Sequence, residues 1–237
     1  MTIMQHKGTV LHRTGQSKII ACTLCGFAHV TPLPSTAELS RYYEKQFYSD
    51  RWPQYVTKME FERDYWLAVY GERLEMIETW QLPADKKGGI IDIGSGPGLF
   101  LKAAMDRGWG AIGIEPSEQA RDHCGQRSYG HALFPTTLEE FTPSTCGQKD
   151  AIHMSFLLEH LPDPAAALEK CHGMLKDDGI LAVEVPNDFS RLQGITEKMT
   201  TRQKWWVSLP DHLNYFNQDS LCRLLRRTGF EPVHVPG

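Results

Sequence analysis

The sequence predicts a doubly wound α/β fold: a mostly parallel sheet with helices on both faces, preceded by an appendage of loops and helices. Three observations carry this expectation. From Lys87 onward, short apolar runs alternate with helix-length segments, the pattern of parallel strands joined by crossover helices. The first of those runs ends in an acid and closely spaced glycines, Asp92-Ile-Gly94-Ser95-Gly96-Pro-Gly98, and a helical segment follows. The chain has 237 residues, 41% hydrophobic and 10% aromatic, enough for one core of ordinary size plus the appendage.

Each element has its own signal. Residues 1 to about 40 contain Gly8, Gly15, Gly26, Pro32 and Pro34 around two β-like runs, 18–22 and 27–30, and read as a small, loop-rich, cysteine-containing module. Residues 41–86 read as two or three helices forming a lid or linker. Tyr42, Tyr43, Phe47, Tyr48, Trp52, Tyr55, Phe61, Tyr65, Trp66 and Tyr70 punctuate them, and Leu67, Val69, Leu74 and Ile77 continue an apolar stripe. Residues 87–237 form the main domain. Its predicted strands are 89–93, 110–115, 131–134, 149–155 and 179–185, the last stopped by Pro186. Helices are expected from Leu99 to Arg107, from a cap at Ser117 to about Ser128, and from Ala165 to Leu175. Asn217 caps a last helix ending near Thr228, and a short sixth strand follows near 232–235. Residues 188–216 are an insertion between the fifth strand and that helix.

Composition excludes several function classes. The formal net charge is -4, and Lys and Arg are scattered, without the basic striping that nucleic-acid binding requires. No apolar run approaches the roughly 20 residues of a membrane span, and the first residues lack the apolar stretch of a signal peptide. Six cysteines, one close pair and four singles, suit a reduced cytoplasm better than a disulfide framework, so a cytoplasmic location is expected.

The glycine loop is a device for holding a polar cofactor. Glycines let a ligand approach the main chain closely, and the helix behind them offers unpaired N–H groups and a positive dipole end. Two readings compete. A dinucleotide fingerprint places a third glycine where this sequence has Leu99, and Asp92, two residues before Gly94, would repel a pyrophosphate. The same carboxylate suits a cationic ligand that carries an amino acid.

Asp92-Ile-Gly94-Ser95-Gly96-Pro-Gly98 resembles the first motif of class I S-adenosylmethionine-dependent methyltransferases, enzymes with a Rossmann-like sheet. The resemblance implies that Glu115, closing the second strand, chelates the ribose hydroxyls, a charge-assisted contact. An NAD-binding dehydrogenase also uses an acid at this distance, so an oxidoreductase stays open as the alternative, as does an S-adenosylmethionine binder without catalytic activity. Residues 150–164 resemble the fourth strand and following turn of the methyltransferase superfamily, and 175–187 its fifth strand. Ser155 would then lie near the methionine part of the cofactor. S-adenosylmethionine is the expected cofactor and S-adenosylhomocysteine its product.

Glu159-His160 resembles a subgroup that includes ubiquinone-biosynthesis, sugar and natural-product methyltransferases. Some of those carry a further Glu where this chain has Phe156, so a metal-independent reaction is expected. The segment 210–217 resembles that of methyltransferases with an amino-terminal cysteine module, where His212 would face the substrate. Their cysteine module is also similar to Cys22-Thr-Leu-Cys25-Gly26. A structural zinc needs four ligands, usually from two such pairs. Only one pair is present, and His6, His12 and His29 follow no regular ligand spacing, so a degenerate ribbon without metal is expected.

Methyl transfer from a sulfonium needs the acceptor in line with the sulfur–methyl bond, and positioning supplies much of the acceleration. Where the acceptor must lose a proton, His160 and His212 are the candidate bases. Trp205, Trp206, Tyr215 and Phe216 either line an acceptor pocket or pack the insertion. The acceptor is expected to be a small molecule: a nucleotide sugar, a sugar or a natural-product intermediate. In the family, an antiparallel seventh strand slots beside the fifth. The sequence reaches Gly237 just after the sixth candidate strand, so an incomplete sheet is expected, one that a second copy of the chain could complete.

Overall fold

The computed structural model describes residues 6–35, 38–39, 54–80, 87–125, 127–142, 146–200 and 204–235. They fall into two compact units. One comprises Met1–Pro34, Phe156–His172 and Glu184–Gly237; the other comprises Ser35–Ser155 and Gly173–Val183. No helix among the described residues is long and apolar enough to cross a membrane.

The unit centred on the glycine loop is built on a five-stranded sheet. Its strands are β4 (Gly89–Ile93), β5 (Gly110–Ile114), β6 (Leu133–Phe134), β7 (Lys149–Ser155) and β8 (Leu175–Glu184). Their spatial order is β6-β5-β4-β7-β8, and the β4–β5, β4–β7 and β5–β6 pairs are parallel. Strand order therefore reverses at β4, and the crevice at the carboxyl ends of the strands beside it is where ligands bind in such sheets. β4 reads Gly-Ile-Ile-Asp-Ile because both faces are covered: Ile90, Ile91 and Ile93 are buried, which suits β-branched residues in a parallel core.

Helix α1 (Tyr55–Phe61) and helix α2 (Arg63–Trp80) precede the sheet. They are more than a covering. Leu74 and Ile77 of α2 enter the core with Phe100, Leu101 and Ala104 of helix α3 (Leu99–Asp106), Trp109 and Ala111. Glu78 fixes this packing with a bidentate pair from Arg107 at 3.0 and 2.7 Å, an indole N–H from Trp109 at 3.1 Å and the Lys87 ammonium. These partners hold the Glu78 carboxyl well down, at about 2. The aromatic residues Tyr42, Tyr43, Phe47, Tyr48 and Trp52 lie outside the described residues. Helix α4 (Glu118–Gly125) follows β5, with Ser117 Oγ accepting the Ala120 N–H at its start, the cap expected from the sequence.

The other unit holds a second, antiparallel sheet. It comprises β1 (Gly8–Thr14), β2 (Ser17–Cys22), β3 (Ala28–Thr31) and β9 (Asn214–Tyr215), in that order. The sequence announces β2 and β3; β1 is too polar and exposed to stand out, and its partner is visible only in the fold. The insertion at 188–216 supplies β9 and helix α6 (Arg191–Met199), so part of it extends the amino-terminal ribbon. The described residues also include helices α5 (Pro164–Met174) and α7 (Gln218–Arg227). Asn217 and Ser220 form a reciprocal capping box at the start of α7, as the Asn predicts.

One expected strand is not formed. Residues 231–235 are irregular, so the sixth strand predicted near 232–235 is corrected to a loop. Pro232 removes a donor, and the alternating pattern spans too few residues for pairing. β8 is an edge of the five-stranded sheet among the described residues.

Candidate functional site

The glycine loop joins β4 to α3 and is tied down by backbone. Gly94 and Ser95 N–H groups both donate to Ile114 O of the neighbouring strand, at 2.9 and 3.1 Å. Ser95 Oγ donates to Asp92 O at 2.8 Å, and Gly98 N–H donates to Ser95 O at 3.0 Å. Gly98 opens α3 in the left-handed region, φ 79°, with its missing side chain facing Cys124 and Tyr129. Gly96 is also left-handed, φ 50°, but a side chain there would meet only the ring of Tyr55, at 3.7 Å.

Glu115 stands at the carboxyl end of β5 and is buried. Its carboxylate accepts Gly96 N–H at 2.9 Å on one oxygen and Ser117 N–H at 2.8 Å on the other. Burial pushes its carboxyl up to about 7 against those two N–H groups, and the Asp92 charge adds to the rise. Tyr55, from α1, shares this pocket: burial, with Glu115 and Asp92, pushes its hydroxyl up to about 12. The main chain is therefore bare at two turns, beside two buried carboxylates. That arrangement fits a cationic ligand with vicinal hydroxyls, as S-adenosylmethionine has.

Asp92 is buried as well, and its Oδ1 accepts the Nδ1–H of His153 at 2.7 Å. His153 lies on β7 directly across from Asp92 in the register. Its ring stacks on Phe100 at 3.7 Å between centroids, with the two planes nearly parallel, and meets Tyr70 edge-on. The sequence marks Tyr55 only as one of the aromatic residues of 41–86, and it does not mark His153 as a site residue. A signal was present for the histidine, the one polar side chain amid Ala151, Ile152 and Met154. Ser155 ends β7, one position beyond Met154, the partner of Ile93, and is half-buried.

A second group of chemical side chains lies in the other unit. Leu158–His160 form a 3-10 turn held by the insertion: Leu213 N–H donates to Glu159 O at 2.9 Å, and the Asn214 amide donates to Leu161 O at 2.7 Å. His160 Nδ1–H donates to Asp211 O at 2.6 Å, which leaves Nε2 as its basic nitrogen. Burial lowers the His160 value below the usual range. His212 stands edge-on to His160, ring centroids 5.1 Å apart. Glu159, His160 and His212 offer ligand or proton-accepting atoms within 4.8 Å of one another. Both Glu159 carboxylate oxygens lack a hydrogen-bond partner among the described residues, and burial pushes the group up to about 8, with Asp188 and Glu184 adding to the rise.

Phe156, between Ser155 and this turn, sits at φ 50° and is 46% exposed, a strained position for an aromatic residue. Of the aromatic residues in the insertion, Trp206, Tyr215 and Phe216 are buried and pack it; Trp205 is exposed.

A family described as a methyltransferase domain matches the chain over residues 68–235. Ubiquinone biosynthesis O-methyltransferase from Actinobacillus pleuropneumoniae is 33% identical over 100 residues, 39% of this chain and 43% of that protein. The chain thus matches less than half the length of that curated relative. The plantazolicin methyltransferase BpumL, solved with S-adenosylhomocysteine, superposes with a TM-score of 0.59 at 16% identity, over 81% of this chain and 73% of that one. The 1,6-didemethyltoxoflavin-N1-methyltransferase of Burkholderia thailandensis, solved with its substrate and S-adenosylhomocysteine, gives 0.55 at 16% identity, over 95% and 89%. At such identities the two structures speak for the fold.

Proposed function

Because the chain belongs to this methyltransferase-domain family, we propose that it transfers the methyl group of S-adenosylmethionine to a small-molecule acceptor. The observation that carries the reading is the junction of Glu115 with the glycine loop, where a buried acid and bare main chain meet beside Asp92. Glu115 would accept from the ribose hydroxyls, Gly94, Ser95, Gly96 and Gly98 would let the cofactor lie against the backbone, and Asp92 would favour its cationic end. Ser155, beyond the end of β7, would flank the methionine part. When bound, the cofactor supplies an activated methyl group on a sulfonium.

What remains for the protein is orientation, water exclusion and, for an acidic acceptor, proton removal. His160 is the proposed base, acting through Nε2, with Nδ1 anchored on Asp211 O. His212, edge-on to it, would pass the proton on or orient the acceptor. The acceptor class proposed is a sugar, a nucleotide sugar or a natural-product intermediate, a range that accommodates compounds such as the plantazolicin and 1,6-didemethyltoxoflavin named for the similar enzymes.

Calorimetric titration with S-adenosylhomocysteine and, in parallel, with NAD tests the reading. Binding of the former in the micromolar range and none of the latter is expected. The reverse result would replace the methyltransferase with an oxidoreductase. Binding without methyl release to any acceptor of these classes would reduce the protein to a cofactor binder.

A further inference from the structure

In the ribbon unit, four side chains distant from both groups above along the chain come together: His6, Cys22, Cys25 and His29, whose ligand atoms all lie within 4.8 Å of one another. We infer that they form a tetrahedral site for one zinc ion.

The spacing of the cysteines along the chain supplies one pair, and the hairpin supplies the rest. Cys22 ends β2, and His29 lies on β3, whose register with β2 pairs it with Ile20. His6 stands just before β1, whose Gly8 pairs with Cys22. Thr23 holds that approach through Lys7 O, which accepts its backbone N–H at 3.0 Å and its hydroxyl at 3.1 Å. Three strand ends thus converge on the Cys22–Gly26 turn. No periodicity in the sequence announces the convergence, which explains why the two histidines looked unrelated.

The distances suit the ion. With bonds of about 2.0–2.1 Å to nitrogen and about 2.3 Å to sulfur, tetrahedral ligands stand about 3.3–3.8 Å apart. Here His6 Nδ1 is 3.3 Å from Cys25 Sγ and 3.6 Å from Cys22 Sγ, within that span, and 3.1 Å from His29 Nε2, slightly short of it.

The surrounding groups prepare the ligands. His29 Nδ1–H donates to Val30 O at 2.7 Å, so the lone pair on Nε2 points at the cluster, the usual support for a metal-bound imidazole. The Cys25 backbone N–H lies 3.5 Å from Cys22 Sγ, a donor for a thiolate. Gly26 turns the chain at φ 80° and donates to Cys22 O at 3.0 Å. Outside the cluster, Arg227 and Arg223 of α7 donate to the carbonyls of Cys25 and Gly26, at 3.0 and 3.1 Å, and brace the turn. Both cysteines are free thiols, not a disulfide. Two thiolates and two imidazoles balance a divalent charge, and a tetrahedral S2N2 set selects zinc among common divalent ions. Such a site contributes folding energy directly, useful in an amino-terminal ribbon whose own buried apolar residues outside the cluster are few: Ile19, Ile20, Phe27 and Val30.

The test uses the full chain. Purified from zinc-supplemented cells, it should carry about one zinc per chain after dialysis, with X-ray absorption showing two sulfurs at about 2.3 Å and two nitrogens at about 2.0 Å. Cobalt exchanged into the wild-type protein should give thiolate charge-transfer bands and the intense visible bands of tetrahedral coordination. Cys25→Ser and His29→Gln should drop the bound metal to background, while Cys146→Ser and Cys222→Ser, outside the cluster, should retain it. Metal content near zero, a shell of oxygen and nitrogen only, or full loading in Cys25→Ser would overturn the site. Should the ligand variants fail to fold, the absorption spectrum of the wild-type protein still decides. None of these readouts depends on methyl transfer.

Discussion

The carboxylate of Glu115 accepts the backbone N–H of Gly96 at 2.9 Å, so the acid ending β5 grips the loop that leaves β4. The expected ribose ligand is therefore also a structural clamp. Its second oxygen holds Ser117, at the start of α4, so one side chain fixes the glycine loop and the next helix together.

A dependence on pH follows. Burial pushes the Glu115 carboxyl up to about 7, so the native state keeps a proton there that the unfolded chain releases near the ordinary value of 4.5. The sign is that of a raised acid: its contribution to stability is present at low pH and is lost as pH rises through that interval. Ribose binding asks for the opposite form, the carboxylate. Affinity for S-adenosylhomocysteine should therefore climb as pH rises from about 6 to about 8, by up to roughly tenfold per unit on the acid side. Glu115→Gln should flatten that profile, and Glu115→Ala should weaken binding by about 1.5–3 kcal/mol. Calorimetric titration across the range checks it; a level profile in the wild-type protein would remove Glu115 from the ribose.

Two of the loop's left-handed glycines, Gly96 and Gly98, separate folding from binding. At Gly98 an added methyl would sit 2.7 Å from Cys124 Sγ and 2.8 Å from the Tyr129 ring, on a backbone already at φ 79°. Gly98→Ala should cost at least about 2 kcal/mol of stability through strain and overpacking together. At Gly96 the nearest atoms are at 3.7 Å, so Gly96→Ala carries only the backbone cost of about 1–2 kcal/mol. Its loss of S-adenosylhomocysteine affinity should exceed its loss of stability, because the methyl takes space the ligand would use. Thermal melts with and without S-adenosylhomocysteine measure both; equal effects of the two variants would contradict the contrast.

Much of the sheet unit was legible because its signals are local. The apolar runs at 89–93, 110–114 and 149–155 are long enough to identify, and the motif around Gly94 fixes the turn chemistry. Asp92 and Glu115 stand where the carboxyl ends of adjacent strands must place them. Contacts formed between distant segments were not legible. His153 was hidden because its partner Asp92 is found only through strand register, and β1 because its residues are polar and exposed. The strand expected near 232–235 failed for the opposite reason: a local pattern existed, but nothing among the described residues pairs with it.

The His160 and His212 assignment makes a kinetic prediction. In an assay following labelled methyl transfer, His160→Asn should lower kcat by about 100-fold or more, the usual contribution of a general base, while S-adenosylhomocysteine affinity stays unchanged. His212→Asn should lose less, since a relaying or orienting group can be replaced by water. Burial lowers the His160 value, so the base form persists to mildly acidic pH, and the acid limb of kcat should fall below about 6.5. If both variants keep full kcat, the histidines are structural: their bonds to the insertion, such as that from His160 to Asp211 O, would then be their purpose.

The pairing of His153 with Asp92 leads to the last prediction. The two side chains are each about 4% exposed and joined at 2.7 Å, so removing the imidazole strands a carboxylate in an apolar strand core. His153→Ala should destabilise the protein by about 1–3 kcal/mol, the cost of leaving a buried acceptor without its donor. The lost stacking on Phe100 adds a cavity to that cost. His153→Gln keeps a donor within reach of Asp92 and should recover part of the loss. The effect on the cofactor should be distinct. With His153 gone, the orientation of Asp92 is no longer fixed, and affinity for S-adenosylmethionine should fall more than affinity for S-adenosylhomocysteine, because only the former carries the sulfonium charge. Equilibrium denaturation gives the first quantity and paired titrations the second. Equal weakening of the two ligands would mean that Asp92 serves the loop's architecture and not the charge of the ligand.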